Sequence, residues 1–179
     1  AQQWRVRLGL PEKREYDEVL RKLSPLPVEE GVYVSWENIE RMWTSYNWEH
    51  PALVGAYGML PGDGVDIPTM RRTLAKVHAE WKLGETWGWD FPMLAMCAAR
   101  LGDPERAVEY LLDYPAFDFD PHGLVGGGRA PFPYFPGNGG LLYAVAMMAA
   151  GWDGAPAGDA PGFPEKGWVV RSEGLRRAL

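Results

Sequence analysis

Three short stretches of this chain combine aromatic rings, carboxylates and amides, and each stands directly before an apolar segment. We call them the first, second and third leader: residues 46–50 (Tyr-Asn-Trp-Glu-His), 85–90 (Glu-Thr-Trp-Gly-Trp-Asp) and 134–138 (Tyr-Phe-Pro-Gly-Asn). Indole rings stack on flat apolar surfaces, while carboxylates accept hydrogen bonds from hydroxyl groups or exchange protons with them. The combination is typical of a sugar site, provided that the three leaders meet.

The apolar segments behind the leaders decide whether they meet. Residues 51–60, 91–99 and 139–150 are almost free of charge, which predicts helices that are surrounded by other elements. If the three helices lie parallel, their N-terminal ends, and with them the leaders, share one rim.

Amphipathic segments precede or follow these apolar ones. Residues 66–83 and 103–112 each combine an apolar stripe with a charged side, which predicts outer helices. Residues 11–23 begin with a proline and carry acidic side chains early and basic ones late, the order that the helix dipole favours, and are also predicted to form an outer helix. The apolar segments begin roughly forty to fifty residues apart, a spacing typical of arrays of helical pairs. We therefore predict an all-α fold, a helical-hairpin array that forms half of, or an incomplete, toroid.

The remaining segments are connections. Residues 24–35 are expected to be extended, and a helical turn is expected to begin near Ser35. Residues 114–138 form a long connection rich in Gly, Pro and aromatic side chains, which favours a functional loop. A short strand is predicted at residues 168–171. The domain division is therefore residues 1–164 for the helical segment and 165–179 for an exit strand and tail.

Glu49 and His50 close the first leader, immediately before Pro51. A proline pushes the preceding residue out of helical geometry, so His50 is expected in an exposed elbow at a helix start. Glu49 gains there from the helix dipole and is our candidate catalytic acid, with Trp48 beside it as a stacking surface for a sugar. The alternative is that Glu49 only caps the helix.

Glu85 and Asp90 flank the second leader. Two carboxylates five residues apart across a turn can reach the separation that an inverting glycosidase needs for an intervening water, so either is a candidate base. Asp90 is equally suited to cap a helix. Trp87 and Trp89 lie on either side of a glycine, so we expect at least one of them to line a cavity.

Asn138 lies among glycines, where the backbone can approach a ligand closely; it can also cap the last helix. His122 follows Asp118 and Asp120 but lacks further metal-ligand partners, and glycines 126–128 lack the strand and helix of a phosphate cradle. We therefore predict no metal and no cofactor.

Composition excludes several classes of protein. A net charge of −6 and a pI near 5.1 argue against nucleic-acid binding, and no apolar run is long enough to span a bilayer. Cys97 lies in an apolar run, which favours a buried thiol over a nucleophile. The first residues lack the apolar core of a signal peptide, so we expect a soluble protein, secreted or periplasmic only if a leader peptide before Ala1 has been removed.

An ordered set of motifs resembles the C-terminal half of the catalytic barrel in six-hairpin (α/α)6 glycoside hydrolases, especially the inverting 1,2-α-L-fucosidases and the related maltose-phosphorylase-like group. The resemblance runs from about residue 23 to residue 175. Its motifs are residues 47–51, 57–62 (Tyr-Gly-Met-Leu-Pro-Gly), 86–89 (Thr-Trp-Gly-Trp), 99–103 (Ala-Arg-Leu-Gly-Asp), 137–140 (Gly-Asn-Gly-Gly) and 162–168 (Gly-Phe-Pro-Glu-Lys-Gly-Trp).

The resemblance implies that Glu49, His50 and Asn138 contact a sugar. Pro136 stands where the family has an Asp that helps to activate water, and the family's general acid lies upstream of the matched region. The resemblance also implies that residues 162–168 lead into a return strand. A half toroid would expose the apolar helices behind the second and third leaders, so we expect self-association or a missing N-terminal half.

These observations predict a glycoside-hydrolase-like domain that binds an oligosaccharide and hydrolyses it by an inverting mechanism with two carboxylates. The alternatives are a non-catalytic carbohydrate-binding helical module, an enzyme fragment that lacks its general acid, and a structural helical array in which every Trp is core.

Overall fold

The computed structural model describes all residues from Ala1 to Leu179. It is helix-rich, about 45% helical, with a single two-stranded hairpin, as expected for the all-α class. The helices are α1 (Gln2–Arg7), α2 (Arg14–Lys22), α3 (Met42–Ser45), α4 (Ile67–Glu80), α5 (Asp90–Arg100), α6 (Pro104–Leu112) and α7 (Phe135–Ala150). The hairpin pairs β1 (Val28–Glu29) with β2 (Val32–Tyr33). None of the helices has the length and apolar character needed to cross a membrane.

Helix α5 is the centre of the molecule. All of its residues are buried, as its nearly uncharged sequence predicts, so the exposure expected of this helix in a half toroid is wrong. It packs against α4, α6, α7 and the turn that follows the first leader. The side chain of its last residue, Arg100, is buried and donates a hydrogen bond from Nε to the carbonyl of Gly58, 3.0 Å away. The core of the protein is therefore built around the helix that begins at the end of the second leader.

The outer helices α4 and α6 begin where their sequences predict. The Asp66 carboxylate accepts a hydrogen bond from the Thr69 amide at 2.9 Å, and the Asp103 carboxylate accepts one from the Arg106 amide at 3.0 Å. Each of these caps is followed by a proline in the first turn of the helix. The predicted boundaries of both helices are confirmed to within three residues.

The predicted inner helix over residues 51–60 is wrong. A 3-10 turn forms at Ala52–Ala56, and the chain then runs irregularly across α5. Gly58 explains the difference: a Cβ atom there would lie 2.8 Å from the carbonyl oxygen of Met93, so the glycine allows the backbone to rest directly on α5. A regular helix with ordinary side chains would be held too far away for this contact.

Helix α7 begins at Phe135, earlier than expected, so that the third leader forms its first turn instead of preceding it. Its charge-free sequence predicts a helix surrounded by other elements, but only Gly137, Ala144, Met147 and Met148 are buried in it, and Leu142 is 73% exposed. One side of α7 therefore packs on α5 and the other faces solvent.

Neither end of the chain is packed into the core as a regular element. Helix α2 forms as predicted but contributes no buried residue, and its apolar side chains Tyr16, Val19 and Leu20 remain exposed. The strand predicted at residues 168–171 is absent, because no other strand lies beside it to supply hydrogen bonds. The C-terminal tail forms one isolated parallel β-bridge, which pairs Ala178 with Trp152.

The segment between the hairpin and the first leader is mostly irregular. The predicted extended course of residues 24–35 is confirmed by the β1–β2 hairpin. The helical turn expected from Ser35 instead forms later, as α3, with Arg41 in a left-handed conformation before it.

Candidate functional site

The three leaders lie side by side. The His50 Nδ1 atom of the first leader is 2.8 Å from Oδ1 of Asp90 in the second. The third leader meets the second at Gly88, whose carbonyl carbon would lie 3.7 Å from a Cβ atom placed on Gly137. The predicted shared rim is thus present, although a 3-10 turn and not a helix stands behind the first leader.

Side-chain hydrogen bonds attach the first leader to the end of α4. The Asn47 side-chain amide donates to the Glu80 carbonyl at 2.8 Å, and the Asn47 main-chain carbonyl accepts from the Lys82 main-chain amide at 2.7 Å. The indole of Trp81 donates to the Glu49 carbonyl at 2.7 Å. These bonds fix the backbone on both sides of Trp48 and leave the Glu49 carboxylate free of protein partners.

The second leader is held by direct contact between main chains. Glycines 126–128 cross residues 86–88 so closely that a Cβ atom on Gly127 would collide with the Gly88 amide, and one on Gly128 with the Thr86 carbonyl. Gly127 and Gly128 also have positive φ angles of 137° and 40°. The glycine run therefore serves this crossing, and it brings Arg129 to the rim.

Asp90 is completely buried at the start of α5. Its Oδ1 atom faces His50, and its Oδ2 atom accepts a hydrogen bond from the Trp87 amide at 3.0 Å. Burial raises the pKa of Asp90 from its ordinary value of 3.8 to about 6, against the opposing effects of His50 and the Trp87 amide, while the nearby Glu49 charge adds to the rise. The carboxylate therefore reaches a ligand only through His50.

The His50 ring is clamped between two indoles. It lies 4.2 Å from the Trp87 ring at 36° and 5.3 Å from the Trp89 ring at 75°. Its side chain is about one-third exposed, at 34%. The Nε2 atom has no hydrogen-bond partner in the protein and is not buried, so it is available to a ligand.

Planar groups continue outward from His50 as a row of rings tilted against one another. Trp48 lies 6.2 Å from Trp87 at 31°, and the Arg129 guanidinium lies 3.9 Å above the Trp48 ring, within the range of a cation–π interaction. Arg129 also forms an exposed ion pair with Glu85, with Nη2 and Oε2 3.0 Å apart. This row of rings therefore lies between the exposed Arg129–Glu85 ion pair and the buried Asp90.

Sequence reasoning placed Glu85 and Asp90 together as a pair that could hold a water between them, but the structure separates their environments. Glu85 is exposed and bound by Arg129, whereas Asp90 is buried and bound by His50. Glu49 is the one carboxylate of the leaders without a protein partner.

Asn138 occupies the first turn of α7 and does not cap it. Its side-chain amide donates to the Gly123 carbonyl at 2.7 Å in the long loop, and it makes no hydrogen bond to the other leaders. Tyr134 lies nearer to Asp90: burial, and then the Asp90 charge, raise the pKa of its phenol.

Two residues of the site escaped sequence reasoning. Arg129 was overlooked because its partners are far away in sequence, although its place directly after three glycines was a usable signal. Tyr134 was noted only as part of the third leader.

The other candidate groups lie elsewhere. His78 packs on Tyr110 and contacts Arg106, and the loop around His122 is organised by the Asp120 carboxylate, which accepts the His122 amide at 2.9 Å. Cys97 is buried, and burial raises the pKa of its thiol to about 12, so it is inert as a nucleophile. No cluster of three or more His, Cys, Asp or Glu side chains could hold a metal ion.

Comparison of the chain with protein families, with curated proteins and with solved structures finds no match.

Proposed function

We propose that this chain is the carbohydrate-binding part of a glycoside-hydrolase-like protein, with its site on the rim where the three leaders meet. One observation carries the proposal: three polar groups without protein hydrogen-bond partners lie at the rim formed by the adjoining rings of His50 and Trp87. They are the Glu49 carboxylate, the His50 Nε2 atom and the Trp87 indole N–H.

This set matches the hydrogen-bonding character of a sugar. A carboxylate accepts hydrogen bonds, an indole N–H donates them, and an imidazole nitrogen does either, whereas each sugar hydroxyl needs both a donor and an acceptor. Partly exposed indoles beside these groups offer apolar surface to the C–H face of the ring. The carboxylates outnumber the single guanidinium at the rim, which favours a neutral sugar over an acidic one.

The geometry favours binding over complete catalysis by this chain alone. An inverting mechanism needs one carboxylic acid to protonate the glycosidic oxygen and a second carboxylate to activate water. Glu49 is free to take the first role, but Asp90 is buried and Glu85 is held by Arg129. We propose that the second carboxylate comes from outside this chain.

The finer fold is part of the same proposal: a segment of an (α/α)6 toroid whose remaining helices cover α7. The uncovered side of α7 carries apolar side chains, with Leu142 73% and Val145 39% exposed. A complementary half or a second copy of the chain would bury this side.

The test is titration of the chain with a panel of neutral mono- and oligosaccharides, in which binding is measured by tryptophan fluorescence and by calorimetry. We expect one class of sugar to bind, and His50→Ala to weaken its affinity at least tenfold, since one hydrogen-bonding group and one stacked ring are lost together. His122→Ala, which removes an exposed histidine from a different loop, is the matched control and should bind normally.

Glu49→Gln separates the two forms of the proposal. If the chain hydrolyses a bound sugar, this variant should keep binding and lose turnover, whereas a binding module shows turnover in neither form. A panel in which no sugar changes the emission or the heat, or equal affinities for His50→Ala and wild type, would overturn the site.

A further inference from the structure

Two groups approach the same nitrogen of His50. The Nδ1 atom lies 2.8 Å from the Oδ1 atom of Asp90 and 3.0 Å from the indole Nε1 atom of Trp89. Both distances are those of hydrogen bonds.

The two hydrogen bonds exclude each other for a neutral ring and an ionised Asp90. An ionised carboxylate only accepts, so its bond requires a hydrogen on Nδ1, whereas an indole N–H only donates, so its bond requires a lone pair there. Nδ1 has one site in its ring plane and cannot provide both. Each partner therefore favours a different tautomer of His50.

We infer that Asp90 and Trp89 compete for the Nδ1 atom of His50 and thereby decide whether its exposed Nε2 atom accepts or donates a hydrogen bond at the rim. When Asp90 prevails, the hydrogen is on Nδ1 and Nε2 presents a lone pair. When Trp89 prevails, the hydrogen is on Nε2, which then donates. Asp90 and Trp89 are positioning residues, and His50 is the group that meets the ligand.

The surroundings make the competition well defined. The ring is restrained by the face of Trp87 and the edge of Trp89, so that it cannot turn away from either partner without losing packing. The Trp87 amide occupies the other oxygen of Asp90, which fixes the orientation of the carboxylate. Glu49 and Tyr134 are the other titratable groups near enough to act on Asp90.

The two states differ in what they do to a bound hydroxyl group. With a lone pair on Nε2, His50 accepts a hydrogen bond from the hydroxyl group, while its Nδ1–H stays on the Asp90 carboxylate. With a hydrogen on Nε2, His50 donates a hydrogen bond to the hydroxyl oxygen instead. The inference concerns the same site as the proposed sugar binding but needs no sugar for its test.

The tautomer is measured directly by long-range ¹⁵N–¹H NMR of the three histidines at about pH 8, where an ordinary imidazole is neutral. In Trp89→Phe the competing N–H is lost, and we expect the ratio of Nδ1–H to Nε2–H forms at His50 to rise about fivefold, the factor for one net hydrogen bond.

In Asp90→Asn the ratio should fall by about the same factor, as one hydrogen bond is again exchanged. The Trp87 amide keeps the oxygen of the new side chain, so its NH₂ group turns toward Nδ1 and donates to it. The two variants thus shift one quantity in opposite directions, which a general loss of structure would not do.

His78 and His122 are internal controls, and their unchanged signals show that each variant is folded. The rate of acylation of His50 by diethyl pyrocarbonate, which follows the lone pair on Nε2, should rise in Trp89→Phe and fall in Asp90→Asn. A ratio that is the same in Trp89→Phe as in wild type would overturn the competition. That result would leave sugar binding intact, while failure to bind any sugar would leave the tautomer result intact.

Discussion

Helices α5 and α7 have nearly the same apolar composition and very different surroundings. All 11 residues of α5 are buried, whereas only four of the 16 residues of α7 are. Helix α5 is enclosed by α4, α6, α7 and the turn after the first leader, while α5 is the one helix packed extensively on α7. Apolar composition therefore predicts burial only where the chain supplies neighbours, and the open side of α7 marks where this chain does not.

The comparison also holds within α7. Its buried side carries Gly140, which lies against Pro92 of α5, together with Ala144, Met147 and Met148, while its open side carries exposed apolar residues such as Leu142. Gly140 therefore marks the closest approach to α5, and the apolar side chains of the open side are left for another surface.

The largest expected effect contrasts a leucine from each helix. Leu94 in α5 has no exposed surface, so Leu94→Ala should lower the free energy of unfolding by about 2–5 kcal/mol through lost burial and a cavity. Leu142→Ala in α7, where the side chain is 73% exposed, should change it by less than about 0.5 kcal/mol. Urea denaturation of both variants measures the difference; similar losses would mean that α7 is covered in solution.

A second effect follows from the burial of the first residue of α5. Burial raises the pKa of Asp90 from 3.8 to about 6. Between about pH 4 and pH 6 the folded protein therefore keeps a proton on this carboxyl group that the unfolded chain has already released. This contribution to stability is complete below about pH 4 and is lost as the pH rises through about 6, a change of about 3 kcal/mol.

The measurement is the unfolding free energy of wild type and Asp90→Asn between about pH 4 and pH 7. Relative to this variant, which cannot ionise at residue 90, the wild type should become less stable as the pH rises. A difference that is flat, or that moves in favour of the wild type, would contradict the raised pKa of the buried Asp90.

The smallest effect compares two adjacent glycines of α7. A Cβ atom on Gly139 would meet nothing within 4 Å, so Gly139→Ala should stabilise the helix by about 0.5–1 kcal/mol. A Cβ atom on Gly140 would lie 3.1 Å from the ring of Pro92, so Gly140→Ala should be worse than Gly139→Ala by about 1–3 kcal/mol. Thermal unfolding distinguishes them, and equal midpoints would show that α7 does not approach α5 this closely.

Much of the fold could be predicted because its signals are local. The Asp caps and apolar stripes of α4 and α6, and the uncharged run of α5, each lie within one segment. The turn at residues 52–56 could not be predicted, because the reason for it is the contact of Gly58 with α5, which is remote in sequence. The prediction of a strand near Trp168 was wrong for a similar reason, since a strand depends on a neighbouring strand that the local sequence does not reveal.

The proximity of the leaders could be predicted more accurately than the environments of their side chains. The composition of the leaders was enough to bring His50, Trp87 and Asp90 into one group. Their roles depend on burial and pairing, which are tertiary properties: Asp90 reads in sequence like any acidic residue at a helix start, but it is buried beneath His50. The position of Arg129 over Trp48 likewise depends on the crossing of two distant segments.

The glycine crossing has a practical consequence for redesign. Glycines 126–128 meet residues 86–88 through main-chain atoms, so this crossing itself depends on no side chain of the long loop. The stretch that follows, beginning with the exposed Arg129, can therefore be exchanged for other sequences while the scaffold beneath stays in register. It is the natural place to graft a new ligand preference onto this protein.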